Sequence, residues 1–332
     1  MQKAPREIST NRLTLRPPAG SDLHLWRGLS EAPGRDSVVW GDLPECVARW
    51  ERDGFGFGVV EEASTRSGIG IGGLRHEAET GTITLACRLD DRVRGRGLGT
   101  EAARAWTVHA VEWLPSLPVL AQVPGDDARS LRVARAAGLE HSGGQSDVLV
   151  VPRVESPTRL DDATRDAMLD LWCAVNDSGG AVGFLPDAPR ADVDAALASH
   201  EEAMAQGSTT AVLLRAPAGD VLAMGFWAAG PNPLLSHTRT AYRVMTDPRR
   251  RGRNLGRLLM AAMHRVAREQ AVEVAVLDVR SGLGTTRFYE GCGYVEVGRV
   301  PGVVRVSPGD DRDSVVMARR LDGRPMVADG RA

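Results

Sequence analysis

Arg94-Gly95-Arg96-Gly97-Leu98-Gly99-Thr100 decides the reading of this chain, because its pattern returns 157 residues later as Arg251-Gly252-Arg253-Asn254-Leu255-Gly256. Each copy follows a strand-like run and opens a run with helical spacing. Such a stretch offers consecutive backbone N–H groups, small residues that let an anion approach, and a helix N-terminus behind them. That combination binds phosphate or pyrophosphate. A single copy is a weak signal. Two copies in matching contexts predict a duplicated domain and a phosphate-bearing cofactor.

The repeat extends on both sides of the loops. Upstream of the first lie strand-like runs at Phe55–Glu61, Ser67–Leu74 and Thr82–Leu89; upstream of the second lie Ala211–Arg215, Val221–Ala228 and Thr240–Thr246. Downstream, Ala102, Ala103, Trp106, Ala110 and Trp113 recur at helical spacing, as do Leu255, Leu259, Met263, Val266 and Ala267. Gly138 follows Gly99 by 39 residues, and Gly293 follows Gly256 by 37. Helices are expected before each set of strands, at Asp22–Ser30 and Leu43–Glu51, then at Asp161–Val175 and Val193–Ala205. Pro152 to Thr158 carries two prolines and reads as the junction, giving domains of 1–152 and 153–332. Later strands are expected at Gly293–Val300 and Asp313–Ala318, and the tail after Leu321 reads as disordered. The fold class is α/β (α+β): two tandem domains, each a central mixed sheet flanked by helices.

Composition removes several classes of function. At 332 residues, 42% hydrophobic and 25% charged, the chain can bury two ordinary cores. No apolar run approaches membrane-spanning length, and Met1 to Asn11 lacks an apolar signal core, so a cytoplasmic protein without membrane attachment is expected. The four cysteines form no Cys-x-x-Cys pair and the seven histidines no His-x-x-x-His, so no metal site is expected. Net charge is −2, which gives no general nucleic-acid footprint, and Arg249–Arg253 has no interleaved aromatics. Lys3 is the only lysine, which excludes a lysine-bearing P-loop or a lysine Schiff base further along. Gly68-x-Gly70-x-Gly72-Gly73 imitates a dinucleotide fingerprint, but Leu74-Arg75-His76-Glu77 leads to a turn and a threonine-rich run, so it reads as a glycine-rich strand.

The spacing Arg-x-x-Gly-x-Gly between strand and helix resembles the acyl-CoA pyrophosphate loop of the GNAT superfamily of N-acetyltransferases, and two tandem copies cover nearly the whole chain. Arg94, Gly97 and Gly99 match fully. The first half, with Arg12-Leu13-Thr14-Leu15-Arg16-Pro17 and Asp127-x-x-Ser130 before Gly138-Leu139, resembles the ribosomal-protein (RimJ-like) branch, where asparagine usually stands at the Asp127 position. The second half resembles the tabtoxin-resistance branch through Gly179-Gly180-Ala181-Val182-Gly183-Phe184, Phe288-Tyr289-Glu290, Gly293-Tyr294 and Gly298-Arg299-Val300-Pro301-Gly302. Its loop departs from the pattern at Asn254, where glycine is usual; that side chain either crowds the pyrophosphate or donates a hydrogen bond.

The resemblance implies acetyl-CoA as co-substrate, held by residues 94–100 and 251–256. It implies a backbone N–H on the fourth strand for the oxyanion, and Tyr289, four residues before Gly293, as the acid that protonates the thiolate. A phenol stays protonated at neutral pH and can donate. The first half has Ala134 at the matching position, with Ser130 the nearby hydroxyl. The glutamate expected on the fourth strand of the second half is replaced by Thr240, and Ile83 to Leu89 contains no carboxylate. Asp278 and Asp313 are candidate bases, and His237 a candidate substrate contact. The segment Asn176–Pro186 is expected to cover the acceptor, with Trp172, Phe184 and Trp227 around it.

Three activities follow as alternatives. The first is acetyl transfer to a small-molecule amine, in antibiotic metabolism or resistance. The second is protein Nα-acetylation by the first half. The third is non-catalytic acyl-CoA binding or sensing with one or both domains silent. The halves are also candidates for a pseudo-dimer.

Overall fold

The computed structural model describes residues 4–31, 40–114, 116–144, 147–180, 182–282, 284–307 and 309–326. The first half contains strands β1 Ile8–Ser9, β2 Leu13–Arg16, β3 Phe57–Glu62, β4 Ser67–Glu77, β5 Thr82–Leu89, β6 Val119–Gln122, β7 Glu140–His141 and β8 Val148–Val150. Its α-helices are α1 Leu23–Ser30, α2 Leu43–Asp53, α3 Leu98–Trp113 and α4 Ala128–Ala136. The second half contains β9 Arg153–Glu155, β10 Thr209–Arg215, β11 Val221–Ala229, β12 Thr238–Thr246, β13 Val274–Arg280, β14 Val295–Ser307 and β15 Asp310–Arg320. Its helices are α5 Asp162–Asp177, α6 Arg190–Ala205, α7 Leu255–Glu269 and α8 Thr285–Glu290. The strands form two mixed sheets, ordered β1-β2-β3-β4-β5-β6-β8-β7 and β14-β15-β13-β12-β11-β10-β9.

Each sheet contains one parallel pair, and each pair is brief. β5 runs beside β6 only at Ile83–Val119 and Thr84–Leu120, and β12 beside β13 only from Thr238–Val274 to Thr240–Val276. Beyond those residues the strands part, leaving an opening at the C-terminal ends of β5 and β12. The two loops of the repeat begin just past those ends.

The glycine-rich run is a strand, β4, and its glycines permit close packing. A Cβ on Gly72 would lie 2.7 Å from the Trp106 ring, and one on Gly70 2.4 Å from Leu89 Cδ2. The proline-bearing junction also contains structure: β9 pairs antiparallel with β10 and so belongs to the second sheet. Gly293 has φ +84, so the strand expected from residue 293 starts at Val295, and its hairpin continues to Ser307. The tail is ordered as far as residue 326, with Asp322 accepting from Arg320 and Arg324; only 327–332 lie outside the described residues.

A single buried apolar cluster runs through both halves, from Leu13 and Trp106 to Leu259 and Met317. Its bridge is the packing of α3 against α7. Arg265 of α7 donates to the carbonyls of Ala110 and Leu114, and Arg268 lies 3.8 Å over the Trp113 ring. Glu112 of α3, 8% exposed, accepts from Arg268 at 2.5 Å and from Arg319 of β15 at 2.8 Å. Gly138 follows α4 with φ +99 and Leu139 N–H returns to Ala134 O, a glycine helix stop. A Cβ there would also meet Leu258 at 2.4 Å, so the glycine serves the turn and the contact between the halves.

Candidate active site

In the first half the loop turns on Gly95 and Gly97, at φ +78 and +76. Backbone N–H groups from Gly95 through Thr100 have no protein acceptor among the described residues. A Cβ on Gly95 would meet nothing within 4 Å, so the cradle is open. The arginines around it are braced from within the same half: Arg96 pairs with Glu62, Arg94 with Asp91, and Arg12 reaches Glu101 and the Arg96 carbonyl. The geometry fits a pyrophosphate on N–H groups at a helix N-terminus.

The second loop repeats that backbone with a different side chain. Asn254 caps α7 at φ +61, ψ 3, where Gly97 caps α3 at φ +76, ψ 6. Asparagine is one of the few side-chain-bearing residues that adopts this left-handed geometry readily. Its side chain does not crowd the cradle. Nδ2 turns into the first half and donates at 3.3–3.4 Å to the Arg104 and Ala137 carbonyls and to Thr107 Oγ1. Arg104 donates in return to the Gly252 carbonyl at 2.7 Å, and Glu140 accepts from Arg250 and Arg253. The second loop is therefore braced by the first half, and Arg104 lines the same recess as residues 250–257.

The fourth strands of the two halves differ. β4 and β5 pair in unbroken register from Gly70–Leu89 to Glu77–Thr82. β11 and β12 shift register between Met224–Met245 and Phe226–Tyr242, so Arg243 and Val244 together oppose Gly225. Arg243 sits at φ +53. This is a β-bulge, which leaves one residue's polar groups out of the ladder and re-aims a side chain.

That side chain packs against Trp172 of α5 and against the segment that follows the helix. The Arg243 guanidinium lies 5.3 Å over Trp172, and a Cβ on Gly183 would lie 2.0 Å from Arg243 Nη1. Trp172 Nε1 donates to the Val182 carbonyl and Asn176 Nδ2 to the Leu185 carbonyl, which pins the 176–186 segment to α5. Phe184 meets the Trp172 ring edge-on, and His200 stacks on Phe226 at 4.2 Å. Burial, with Arg243 nearby, pushes the His200 pKa down to about 4, so its imidazole is neutral at pH 7. Trp227 packs elsewhere: its indole N–H donates to Met263 O beneath α7, on the opposite face of the sheet. Ala181 of the expected acceptor motif lies outside the described residues.

Tyr289 is 8% exposed in α8, edge-on to both Phe288 and Tyr294. Burial raises its pKa, so it holds its proton, and its hydroxyl has no hydrogen-bond partner among the described residues. Phe288 backs the second loop, since a Cβ on Gly256 would lie 3.1 Å from its ring. In the first half Ser130 Oγ is already committed, donating to Asp127 at 2.7 Å, and Ala134 is buried.

The candidate bases fare unequally. Asp313 is held by Arg299 at 2.8 Å and by the Gly302 N–H, which together lower its pKa. Asp278 is exposed on β13. His237 is exposed at the closed end of β12, and six residues of strand, about 20 Å, separate it from the bulge. Sequence reading missed His200 and gave Arg243 no role. Nothing in the local sequence marks either residue.

Among the described residues no helix is long and apolar enough to cross a membrane, and no cluster of three or more histidine, cysteine or acidic residues could hold a metal. None of the four cysteines forms a disulfide.

Residues 12–140 match a family model described as an acetyltransferase (GNAT) domain, and residues 209–296 match a second model of the same description. Similar solved structures each correspond to about half of the chain. The ribosomal-protein-S18-alanine N-acetyltransferase of Escherichia coli is 16% identical, covering 53% of this chain and 97% of its own, with TM-score 0.41. An acetyltransferase of the GNAT family from Streptococcus pneumoniae is 13% identical, covering 51% and 99%, with TM-score 0.42. A Salmonella typhimurium protein solved with its cofactor acetyl-CoA is 19% identical, covering 53% and 97%, with TM-score 0.44.

Proposed function

The chain belongs to the GNAT acetyltransferases, with two such domains in tandem and acetyl-CoA as acyl donor, and on that premise we propose that its second half acetylates the amine of a small molecule. The observation that carries this reading is the bulge at Arg243, which β12 has and β5 lacks.

In this reading the N–H groups of Gly252 and of residues 254–257 at the start of α7 would hold the pyrophosphate of acetyl-CoA, which would supply the thioester. The bulged strand supplies a backbone N–H, outside the ladder, toward the developing oxyanion. The amine reacts in its neutral form. The rings of Trp172 and Phe184 disfavour an ammonium ion beside them, which lowers the amine's pKa without a carboxylate at Thr240. Tyr289, neutral and without another partner, donates the proton to the departing thiolate.

The first half binds acetyl-CoA in its own loop, residues 94–100, and acts mainly as brace to the second. A regular β5, a committed Ser130 and Ala134 in place of a tyrosine favour a catalytically silent first domain over protein Nα-acetylation. A role in antibiotic metabolism rests only on the resemblance of the second half to the tabtoxin-resistance branch. The halves work as a fused pseudo-dimer through α3 and α7.

Native mass spectrometry of the wild type, Arg94→Ala and Arg251→Ala tests the cofactor sites, with CoA release measured over a panel of small amines. Two molecules of acetyl-CoA per chain, each lost with its own variant, and turnover lost only with Arg251→Ala, are expected. Turnover that survives Arg251→Ala and disappears with Arg94→Ala would overturn the assignment.

A further inference from the structure

Arg243 is a cation without a direct ion pair among the described residues; the exposed Asp278 on the neighbouring strand acts on it only at longer range. Several arginines at comparable depth are ion-paired, Arg16 with Asp22 and Glu61, Arg215 with Glu155, Arg250 with Glu140 and Arg319 with Glu112, and Arg265 is satisfied by the Ala110 and Leu114 carbonyls and Ser116. Arg243 has no ion pair and no hydrogen bond among the described residues, and its Nε is fully buried without an acceptor. Orphaned donors of this kind are costly and call for an explanation.

The surroundings hold the guanidinium in place rather than satisfying it. The bulge keeps the backbone at φ +53, an uncommon conformation for arginine. Trp172 supports one face of the guanidinium, and Gly183 gives it room where any side chain would collide. On the neighbouring strand Arg280 also has a buried Nε without an acceptor, while its Nη2 donates to the Gly179 carbonyl at 3.2 Å. Both splayed strands thus direct an incompletely satisfied arginine toward the 179–183 segment. The second cofactor loop caps α7, which packs on the other face of the sheet, and offers a pyrophosphate its own N–H groups; its Arg251 meets this segment at Ser178 Oγ, 3.4 Å away.

We propose that Arg243 binds a carboxylate of the acceptor, so that the substrate is an amine that also carries a carboxylate, as an α-amino acid does. The planar guanidinium fork matches a carboxylate in bidentate geometry. Binding the anion satisfies the buried donors and fixes the distance from carboxylate to amine. The proposal rests on the reading of the second half as the acetylating domain.

Matched pairs test it: L-leucine against isoamylamine, and L-phenylalanine against phenethylamine, with CoA release followed in wild type, Arg243→Gln and Arg243→Lys. The wild type is expected to favour the amino acid of each pair. Arg243→Gln should remove that preference by a factor of about 10 to 100, the weight of a charge-assisted hydrogen bond. Arg243→Lys should retain part of it, and acetyl-CoA stoichiometry by native mass spectrometry should stay unchanged in both. Quenching of tryptophan fluorescence by N-acetyl-L-leucine, set against N-isoamylacetamide, reads the same discrimination without turnover. Equal use of the amine and the amino acid, or equal loss of both in Arg243→Gln, would overturn the carboxylate site while leaving the acetylating domain intact. Loss of acetyl-CoA binding at the second loop in wild type would instead fault the domain assignment. Absence of carboxylate-dependent binding in both assays refutes the proposal outright.

Discussion

Replacing Glu112 by glutamine should cost this protein about 3–5 kcal/mol, the usual effect of removing one partner from a buried ion pair. Glu112 of α3 holds Arg268 and Arg319 of the other half at 2.5 and 2.8 Å and lies 3.6 Å from His264. Those cations and hydrogen bonds hold its pKa well below the ordinary carboxylate range, against the effect of burial. Glutamine keeps the shape but leaves two guanidinium groups without their charge. At about 2 °C per kcal/mol for a chain of this size, the midpoint should fall by about 6–10 °C in calorimetry. His264 adds a pH signature. Burial, together with Arg319, pushes its pKa down to about 4, so the folded chain keeps it neutral. Below about pH 6.5 the unfolded chain takes up a proton that the folded chain refuses. Stability is therefore full above pH 6.5 and declines as pH falls toward 4, by about 3 kcal/mol at about 1.4 kcal/mol per pH unit. Glu112, with its depressed pKa, begins to withdraw support only below about pH 4.3, the unfolded carboxylate value. His109 and His200, whose pKa values burial also lowers to about 4, act in the same window, so His264→Gln should make the decline shallower by its own share rather than abolish it. A cost below about 1 kcal/mol for Glu112→Gln, or two independent thermal transitions of which it moves only one, would refute the account of the two halves as one cooperative body.

Four further outcomes are expected. Arg104→Ala, in the first half, should weaken acetyl-CoA binding at the second loop while leaving the first unchanged, because Arg104 braces Gly252 and lines that recess; binding counted by native mass spectrometry checks it. Asn254→Ala should destabilise by about 1–2 kcal/mol, adding left-handed strain to lost contacts, and Asn254→Gly by less, read by denaturant titration. Gly183→Ala should reduce acceptor kcat/KM about tenfold or more without altering cofactor affinity, because its methyl would displace the Arg243 guanidinium. Tyr289→Phe should lower kcat about 10²-fold with acetyl-CoA affinity unchanged, and an unaltered kcat would remove Tyr289 from the chemistry.

The repeat, the strand-loop-helix context and the glycine stops were legible because they are local. A positive φ at Gly97 or Gly138 leaves its mark on the residue itself. What escaped was long-range. The bulge at Arg243 depends on how β12 registers against β11, and no residue type there announces it. Asn254 showed as a departure, but which way its side chain turns depends on Ala137, more than a hundred residues away. Glu112 carries no local mark of its role, because its partners come from α7 and β15. The strand within the proline-bearing junction was hidden by its length of three residues, too short for any alternation to register.

The core shared by the two halves has a consequence for how such a molecule can be handled or altered. The break at Pro152, inviting as a place to cut, separates two sheets but not two bodies. Severing the chain there would leave Leu258 without Gly138, Arg268 without Trp113 and the second loop without its brace. The halves would have to find each other again before either was whole. Duplication here has produced interdependence: neither copy is a spare, and damage to the first half should reach the loop of the second.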